Sequence, residues 1–270
     1  MLRMAFVIAA IAAITFSLMP VQWLALRFNL KAQRRIPVIY HRLICSILGV
    51  RIRIVGQRMQ QHPLLIVSNH SSWLDIPIIS AVAPAAFVAK SEIAGWPMIG
   101  LLAKLQRSVF VDRKRRHKTS EVNAEIARRL AEGDPVVLFG EGTASDGNRV
   151  LPFRTALIGA ARDALAEAEH TRRVWIQPLS LAYTKLLGFP IGRQHRTLVA
   201  WYGKISLWPH LVEICRRGAI DVVVTWGEPV AFDETTDRKQ TARELEKTVR
   251  EITINALRGR AMETPLPPSS

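Results

Sequence analysis

The chain has 270 residues, enough for one substantial core, and 49% of them are hydrophobic. Lys and Arg number 37 against 22 Asp and Glu, which gives a formal net charge of +15. This excess favours an acidic partner, such as anionic lipid headgroups, an acidic carrier protein or nucleic acid. The two cysteines, Cys45 and Cys215, lie far apart without metal-ligand spacing, which argues against a disulfide framework and favours a reducing compartment.

The N-terminus carries a long uncharged apolar segment. No residue from Met4 to Leu26 is charged, and at about 1.5 Å per residue the run is long enough to enter a bilayer core of ~30 Å. Pro20 interrupts it, so we expect a kink or a break near Met19, with either a spanning helix or a re-entrant hairpin. A cleaved signal peptide is the alternative, but the run is long for one and no small-residue cleavage site ends it. The basic residues that follow predict a cytoplasmic flank: Arg27, Lys31, Arg34 and Arg35.

Three regions follow from this pattern. Residues 1–50 are predicted to anchor the chain to a membrane, because a second apolar stretch, Ile36–Val50, is typical of an interfacial helix. Arg35 and Arg42 are then able to reach lipid headgroups. Residues 51–260 contain no Gly/Ser-rich linker and are predicted to form one domain. Residues 261–270 are predicted to be a disordered tail.

Beyond Arg51, short β-rich runs alternate with helical patterns. The predicted strands are Leu64–Ser68, Ala86–Ala89, Ser108–Val111, Val136–Phe139, Val174–Leu181, Leu198–Trp201 and Asp221–Trp226. The predicted helices are Ser72–Val82, Ser120–Glu132, Thr155–Ala168 and Thr241–Leu257. This alternation favours an α/β domain in which helices flank a central, mostly parallel sheet.

The first candidate site follows the strand Leu64–Ser68: His70 comes two residues after it, and Asp75 lies five positions after His70. Ser72 is predicted to cap the next helix, with Asp75 in the third position of its first turn. His70 then projects from the carboxyl end of a strand, where ligands of open α/β sheets bind. The carboxylate accepts from one imidazole nitrogen and leaves the other to take a proton. Alternatively, Asp75 is only a capping carboxylate and His70 an ordinary loop histidine.

A second strand also ends in polar residues. Val136–Phe139 leads into the glycine-rich stretch Gly140–Asn148. The glycines beside Glu141 let the backbone approach a polar group closely, and Thr143 adds a hydroxyl. An ordinary surface turn is the alternative for this stretch, but Glu141 is unusual because it directly follows an apolar strand.

A third strand, Ser108–Val111, runs into the basic cluster Arg113–Lys118. Arg113 is predicted either to bind an anionic part of a substrate or to belong to a solvated or lipid-facing surface. A zinc site is less favoured because the other histidines are scattered, and serine-hydrolase chemistry because no Gly-x-Ser-x-Gly motif exists. Nucleic-acid binding is disfavoured because no such motif is present and aromatic residues are not interleaved with the basic cluster.

The order of these motifs resembles the glycerolipid acyltransferases typified by bacterial 1-acylglycerol-3-phosphate acyltransferase. The resemblance extends over roughly residues 60–185. Four blocks carry it: the His-x4-Asp block at Asn69–Asp75, Val109–Arg113, Phe139–Thr143 and the proline-containing strand Ile176–Ser180.

This resemblance implies roles for the candidate residues. His70 would be the general base that deprotonates an acceptor hydroxyl, with Asp75 orienting it, and the hydroxyl would attack an acyl thioester directly. The acceptor pocket would be shaped by Arg113, Glu141, Gly142 and Thr143. The donor would be a thioester of acyl carrier protein or coenzyme A, with no metal or prosthetic group. Residues 51–260 would be the catalytic domain, on the cytoplasmic side of a bacterial inner membrane.

The sequence also departs from the family. Phosphate-using members carry arginine directly after Glu-Gly-Thr, whereas this chain has Ala144, which removes a bidentate phosphate partner. The longer string Glu141–Arg154 resembles the lyso-ornithine lipid acyltransferases of alphaproteobacteria, which acylate a 3-hydroxyacyl chain amide-linked to ornithine. We therefore expect lyso-ornithine lipid as the acceptor, with 1-acylglycerol-3-phosphate as the alternative or as a second acceptor. Its phosphate contact would come from Arg113, Arg149 or Arg154. Gly140 replaces the family's proline, which we interpret as a change of turn stiffness only.

Overall fold

The computed structural model describes residues 2–111, 119–154, 159–167 and 173–260. Within these ranges the chain forms nine α-helices, one 3-10 helix (Ser91–Gly95) and nine strands that belong to one sheet. The helices are α1 Leu2–Arg27, α2 Ala32–Leu48, α3 Asp75–Val82, α4 Ile99–Leu105, α5 Thr119–Ala131, α6 Gly159–Glu167, α7 Arg193–Arg196, α8 Leu207–Arg217 and α9 Arg238–Leu257. The strands are β1 Val50–Val55, β2 Leu64–Ser68, β3 Ala86–Lys90, β4 Val109–Val111, β5 Val136–Phe139, β6 Val174–Leu186, β7 Phe189–Pro190, β8 Ile220–Trp226 and β9 Val230–Phe232.

The sheet is mixed but mostly parallel. Its main strand order is β1-β8-β6-β2-β5-β3-β4, with β7 and β9 pairing only with β6. Every neighbouring pair is parallel except those of β6 with β7, β8 and β9. The predicted α/β class with a mostly parallel central sheet is therefore confirmed. Because Ser68 of β2 pairs with Phe139 of β5, the loops after these strands leave the sheet side by side at the same edge.

Helices bury both faces of the sheet, and this explains why β2 is apolar from Leu64 to Val67. Leu64 and Ile66 pack into a cluster with residues of α2, α3 and α8 on one face. Leu65 and Val67 pack into a second cluster with residues of α5, α6 and α9 on the other. A strand covered on both faces needs a continuous hydrophobic run rather than an alternating one.

The N-terminal helix α1 is long and apolar enough to cross a membrane by length and composition. It continues through Pro20 as one helix, so of the kink or break predicted near Met19, the break is wrong. One side packs against α2, α4 and α8, and this packing supports the helix across the N–H that proline removes. Two polar side chains on that side are buried: Thr15 bonds the Tyr40 hydroxyl at 2.9 Å, and Gln22 donates to the Leu105 carbonyl at 2.8 Å.

The opposite side of α1 exposes large apolar side chains. Phe6, Phe16 and Trp23 are each more than half exposed. In α2, by contrast, Arg42 donates to the Ala81 carbonyl at 2.8 Å, so part of its guanidinium binds the protein instead of lipid headgroups. The division into an anchor over residues 1–50 and a domain over residues 51–260 stays a prediction, and the tail 261–270 lies outside the described residues.

One predicted strand and two predicted helix starts are wrong; the helix predicted from Thr241 begins at Arg238. Residues 198–201 are not a strand, because the N–H groups of Val199 and Ala200 both donate to the Arg196 carbonyl and so continue a helical turn from α7. The helix predicted from Ser72 begins instead at Asp75. Of the predicted helix Thr155–Ala168, the described part, α6, is helical. The sequence also did not predict β1, α4 or α8.

Candidate active site

Two strand ends and one neighbouring strand build the site. Asn69 follows β2, and its side-chain amide donates to the Leu181 carbonyl and accepts from the Leu181 N–H, both at 2.9 Å. This side chain continues the pairing of β2 with β6 by one further step. The loop after β2 is thereby fixed against the sheet, and the next residue, His70, is held at the sheet edge.

His70 and Asp75 are brought together as predicted. The Nδ1 atom of His70 lies 2.8 Å from Oδ2 of Asp75. Asp75 is fully buried, and the same oxygen also accepts the backbone N–H groups of Ser71 and Ser72 at 2.8 and 2.9 Å. Its other oxygen accepts the hydroxyl of Tyr183 at 2.6 Å. Four donors around one buried carboxylate satisfy both of its oxygens, and a carboxylate oxygen that accepts from His70 requires the ring hydrogen on Nδ1.

These contacts explain why α3 begins at Asp75. The carboxylate folds back onto the two amides that precede it in the chain, so residues 71–74 form a turn rather than a first helical turn. No side chain caps the helix from the position before Asp75. The predicted capping by Ser72 is present, since its hydroxyl accepts the Leu74 N–H at 3.4 Å while Asp75 accepts the Ser72 N–H in return. Only the predicted helix start is wrong, because α3 begins at Asp75.

His70 is also held by two residues at the end of β5 and in the loop after it. Its ring stacks on Phe139 with the centroids 3.9 Å apart, and its backbone N–H donates to Oε1 of Glu141 at 3.0 Å. The side chain is 16% exposed and lines a cavity. With Nδ1 directed at Asp75, Nε2 is the ring atom available to a substrate.

Glu141 is a buried carboxyl beside the imidazole. Burial raises the pKa of Glu141 to about 8, although the backbone N–H groups of His70 and Leu151 act in the opposite direction. Nearby Asp75 and Asp146 raise that pKa further. Its second oxygen, Oε2, has no hydrogen-bond partner among the described residues. A protonated Glu141 therefore retains a donor next to His70 at neutral pH.

The glycines around Glu141 are required by close approach. At Gly140 a Cβ would lie 2.7 Å from the ring of Phe153, and the Gly140 N–H donates to the Ser68 carbonyl at 2.9 Å. A proline here would lose that bond and meet the ring, so interpreting Gly140 as a change of turn stiffness only is wrong. Gly142 has φ +66°, and a Cβ there would lie 2.7 Å from Nε of Arg154.

A cavity of about 610 Å³ opens at His70. Thr143 and Ala144 lie on its rim, Trp73 forms part of its wall, and most of its surface is apolar. The indole N–H of Trp73 donates to Nδ1 of His210 at 2.9 Å, and burial lowers the pKa of His210, which favours the neutral acceptor form. The far walls come from α1 and α2 through Ile11, Leu18, Tyr40 and Ile44. A single extended chain of apolar carbons fits such a space better than a hydrated group.

The structure thus places His70, Gly142 and Thr143 on the cavity lining. Asp75 and Glu141 are buried and hydrogen-bonded to His70. Arg113 lies outside the described residues, so its predicted role stays a prediction. Sequence reasoning missed Tyr183 and the part that α1 takes in the cavity wall. No sequence signal singled out Tyr183, because β6 also carries the hydroxyls of Ser180 and Thr184.

Comparisons with known proteins identify the family. Residues 51–182 match the family model described as Acyltransferase. The chain is 50% identical over 259 residues to the lyso-ornithine lipid O-acyltransferase of Brucella abortus, covering 96% of this chain and 97% of that one. It is 39% identical over 200 residues to the 1-acyl-sn-glycerol-3-phosphate acyltransferase of Neisseria gonorrhoeae, covering 73% of each chain.

A solved structure shares the fold. The crystal structure of the 1-acyl-sn-glycerophosphate acyltransferase from Thermotoga maritima matches with a TM-score of 0.63 at 19% identity, over 94% of this chain and 96% of that one. With the 50% identity to the Brucella protein over nearly the whole length, the family is shown: this chain belongs to the acyltransferase family and is an acyltransferase enzyme of lipid biosynthesis.

Proposed function

We propose that this enzyme transfers a fatty acyl group from a thioester to the hydroxyl of lyso-ornithine lipid, which yields ornithine lipid. The observation that carries the chemistry is the His70–Asp75 pair, 2.8 Å apart, at the mouth of an apolar cavity. The choice of acceptor is supported by the 50% identity to the Brucella enzyme named for that reaction.

The first step is removal of a proton from the acceptor hydroxyl. His70 holds its hydrogen on Nδ1 toward Asp75, so the lone pair of Nε2 takes the proton as the hydroxyl oxygen approaches the thioester carbonyl. The imidazolium that forms is stabilised by the carboxylate of Asp75. The stacked ring of Phe139 and the bond to Asp75 limit rotation of the His70 ring, and this preorganisation reduces the entropy that the step must lose.

The second step breaks the thioester. The alkoxide oxygen bonds to the carbonyl carbon, the carbon–sulfur bond breaks, and the leaving thiolate takes the proton from His70. The products are an ester and a free thiol, and His70 returns to its starting form. No covalent acyl-enzyme is formed, which accords with the absence of a nucleophile elbow in the sequence. Glu141, Gly142 and Thr143 shape the acceptor pocket, with Arg113 as a further substrate-binding residue.

Ala144 supports lyso-ornithine lipid over a phosphate-bearing acceptor. It lines the cavity directly after Glu-Gly-Thr, and a methyl group there gives neither charge nor hydrogen bonds to a phosphate. An acceptor hydroxyl within a fatty chain, as in lyso-ornithine lipid, has apolar carbons on its outer side and suits such a rim. The second candidate acceptor is 1-acylglycerol-3-phosphate, which the Neisseria relative supports by name. Arg154, whose guanidinium lies against Gly142, would then bind the phosphate.

The donor, the membrane and the compartment complete the proposal. A net charge of +15 suits an acidic acyl carrier protein as the donor's carrier, with coenzyme A as the alternative. The exposed apolar side of α1 supports attachment to an anionic membrane surface. We propose the bacterial inner membrane, with residues 51–260 on its cytoplasmic side. The chemistry uses no metal or prosthetic group.

A direct assay tests the acceptor. Purified full-length enzyme in detergent is given radiolabelled acyl carrier protein thioester with either lyso-ornithine lipid or 1-acylglycerol-3-phosphate, and the lipid products are separated. We expect ornithine lipid as the main product, at an unchanged rate with a metal chelator present. Turnover with 1-acylglycerol-3-phosphate alone would refute the proposed acceptor while leaving the acyl-transfer chemistry in place. An Ala144→Arg variant should shift the preference toward the phosphate-bearing lipid.

A further inference from the structure

We infer that Tyr183 is a positioning residue for the catalytic pair, acting on His70 through Asp75. The inference rests on the proposed function, because it assigns Tyr183 a part in the proton transfer described above. The hydroxyl of Tyr183 donates to Oδ1 of Asp75 at 2.6 Å, across 108 positions of sequence. This is the shortest side-chain contact that Asp75 makes within the described residues.

The strand that carries Tyr183 explains how it reaches the site. The last residue of β2, Ser68, pairs with Leu179 of β6, yet β6 continues to Leu186. The continuing part of β6 therefore passes beside the loop that holds His70. Tyr183 lies on the same strand face as Leu181, whose backbone is bonded to Asn69. Backbone and side chain of β6 thus hold the two ends of the loop between Asn69 and Asp75.

Tyr183 acts without touching the substrate. Its side chain is 5% exposed, and it is not among the described residues that line the cavity. Burial raises the pKa of Tyr183 well above its usual value, and the charge of Asp75 acts in the same direction. The phenol therefore stays protonated and remains a hydrogen-bond donor throughout the pH range of the reaction.

The bond has two consequences for Asp75. It fixes rotation of the carboxylate about its terminal torsion, so that Oδ2 stays aimed at His70 and at the amides of Ser71 and Ser72. It also withdraws negative charge from the carboxylate, which moderates how strongly Asp75 stabilises the imidazolium. The base thus keeps its orientation and is prevented from holding its proton too tightly for the second step.

The sign of the pH effect follows from this arrangement. Removing the hydroxyl leaves more negative charge on the carboxylate that faces His70. We therefore expect the acidic limb of the kcat–pH profile to move to higher pH. Other titratable groups lie near the catalytic pair and are the same in the wild type and in a variant without the hydroxyl, so they do not cause the difference in pH dependence. They are Cys45, Glu141 and Asp146 near the pair, and His41, Lys90 and Glu92 along the cavity.

The test is Tyr183→Phe, which removes one oxygen atom and keeps the ring. We expect kcat to fall about 10- to 100-fold, the loss seen when the residue that orients a metal-ligating side chain is removed. KM for both substrates should change less than about twofold. The acidic limb of kcat should move to higher pH. Its position does not depend on the fraction of active protein, so partial loss of folded enzyme would not hide the shift.

Two further variants separate this role from a structural one. Ser180→Ala, on the same strand, removes another buried hydroxyl whose bond to Thr253 at 2.6 Å lies on the opposite sheet face, and it should leave the acidic limb unmoved. In an Asp75→Asn background, Tyr183→Phe should lower kcat less than about threefold, since Tyr183 acts through the carboxylate. An unmoved limb, or an equal loss of kcat in both backgrounds, would overturn the inference. If His70→Ala kept its activity, the proposed function itself would fail instead.

Discussion

The replacement of Asp75 by Asn isolates the charge of the carboxylate from its geometry. Oδ2 faces three donors, which are His70 Nδ1 and the N–H groups of Ser71 and Ser72. Oδ1 faces only the hydroxyl of Tyr183, which can rotate and accept instead. The amide of Asn is therefore expected to place its oxygen at the Oδ2 position and its NH₂ group toward Tyr183. The fold and the tautomer of His70 are preserved, and only the negative charge is lost.

The loss of kcat can be estimated from the hydrogen bond between His70 and residue 75, whose acceptor is no longer charged. A hydrogen bond to a charged group contributes about 1.5–3 kcal/mol, against about 0.5–1.5 kcal/mol for a neutral one. The difference, roughly 1–2.5 kcal/mol of imidazolium stabilisation lost in Asp75→Asn, corresponds to a roughly 5- to 70-fold lower kcat. Because the imidazolium loses its counter-charge, the acidic limb of kcat should also move to lower pH, opposite to the shift expected for Tyr183→Phe.

The assay is acyl transfer to lyso-ornithine lipid at saturating substrates across a pH series, alongside sedimentation with anionic vesicles. Asp237→Asn is the matched control, because Asp237 caps α9 through the N–H groups of Lys239 and Gln240 and asparagine caps equally well. Vesicle binding should be unchanged in both variants. Wild-type kcat in a folded Asp75→Asn enzyme would refute the reasoning, and so would an acidic limb that moves to higher pH.

Two stability predictions follow from the residues after β5. The pKa of Glu141 is raised to about 8 in the folded state, whereas a glutamate in the unfolded chain has a pKa of about 4.3. Between these two pH values folding takes up a proton, so the free energy of unfolding should fall as pH rises from about 4.5 to 8. Thermal unfolding of Glu141→Gln should lack this pH dependence. Gly140→Ala should destabilise by about 1–3 kcal/mol, because its Cβ would lie 2.7 Å from the Phe153 ring. Urea unfolding measures this change, and a loss below about 0.5 kcal/mol would mean that the ring moves freely.

Local sequence was sufficient where one strand and its following loop decide the geometry. The run Leu64–Val67 is apolar because both sheet faces are buried, and this pattern predicted β2 as Leu64–Ser68, to the residue. The short spacing of His70 and Asp75 then allowed their contact to be predicted, since five residues cannot separate them widely. The helix start was wrong because the carboxylate bonds the amides before it, a choice that short polar side chains make from tertiary context.

Contacts between distant segments were not predictable from one sequence. The bond of Tyr183 to Asp75 depends on β6 continuing beyond β2, which no local pattern encodes. The apolar composition of α1 fits a bilayer and a protein cavity equally well, so its part in the cavity wall was hidden. The run Leu198–Trp201 has strand-like composition, yet it packs as a buried turn after α7.

The proton-accepting role of His70 is tested most directly by the turnover of His70→Ala. With full-length enzyme, acyl carrier protein thioester and lyso-ornithine lipid, we predict a kcat roughly 10²- to 10⁴-fold below wild type, the usual contribution of a positioned general base. His62→Ala is the matched control, since His62 precedes β2 and lies at the other end of that strand, and it should retain full turnover. Unchanged turnover in a folded His70→Ala enzyme would contradict the account.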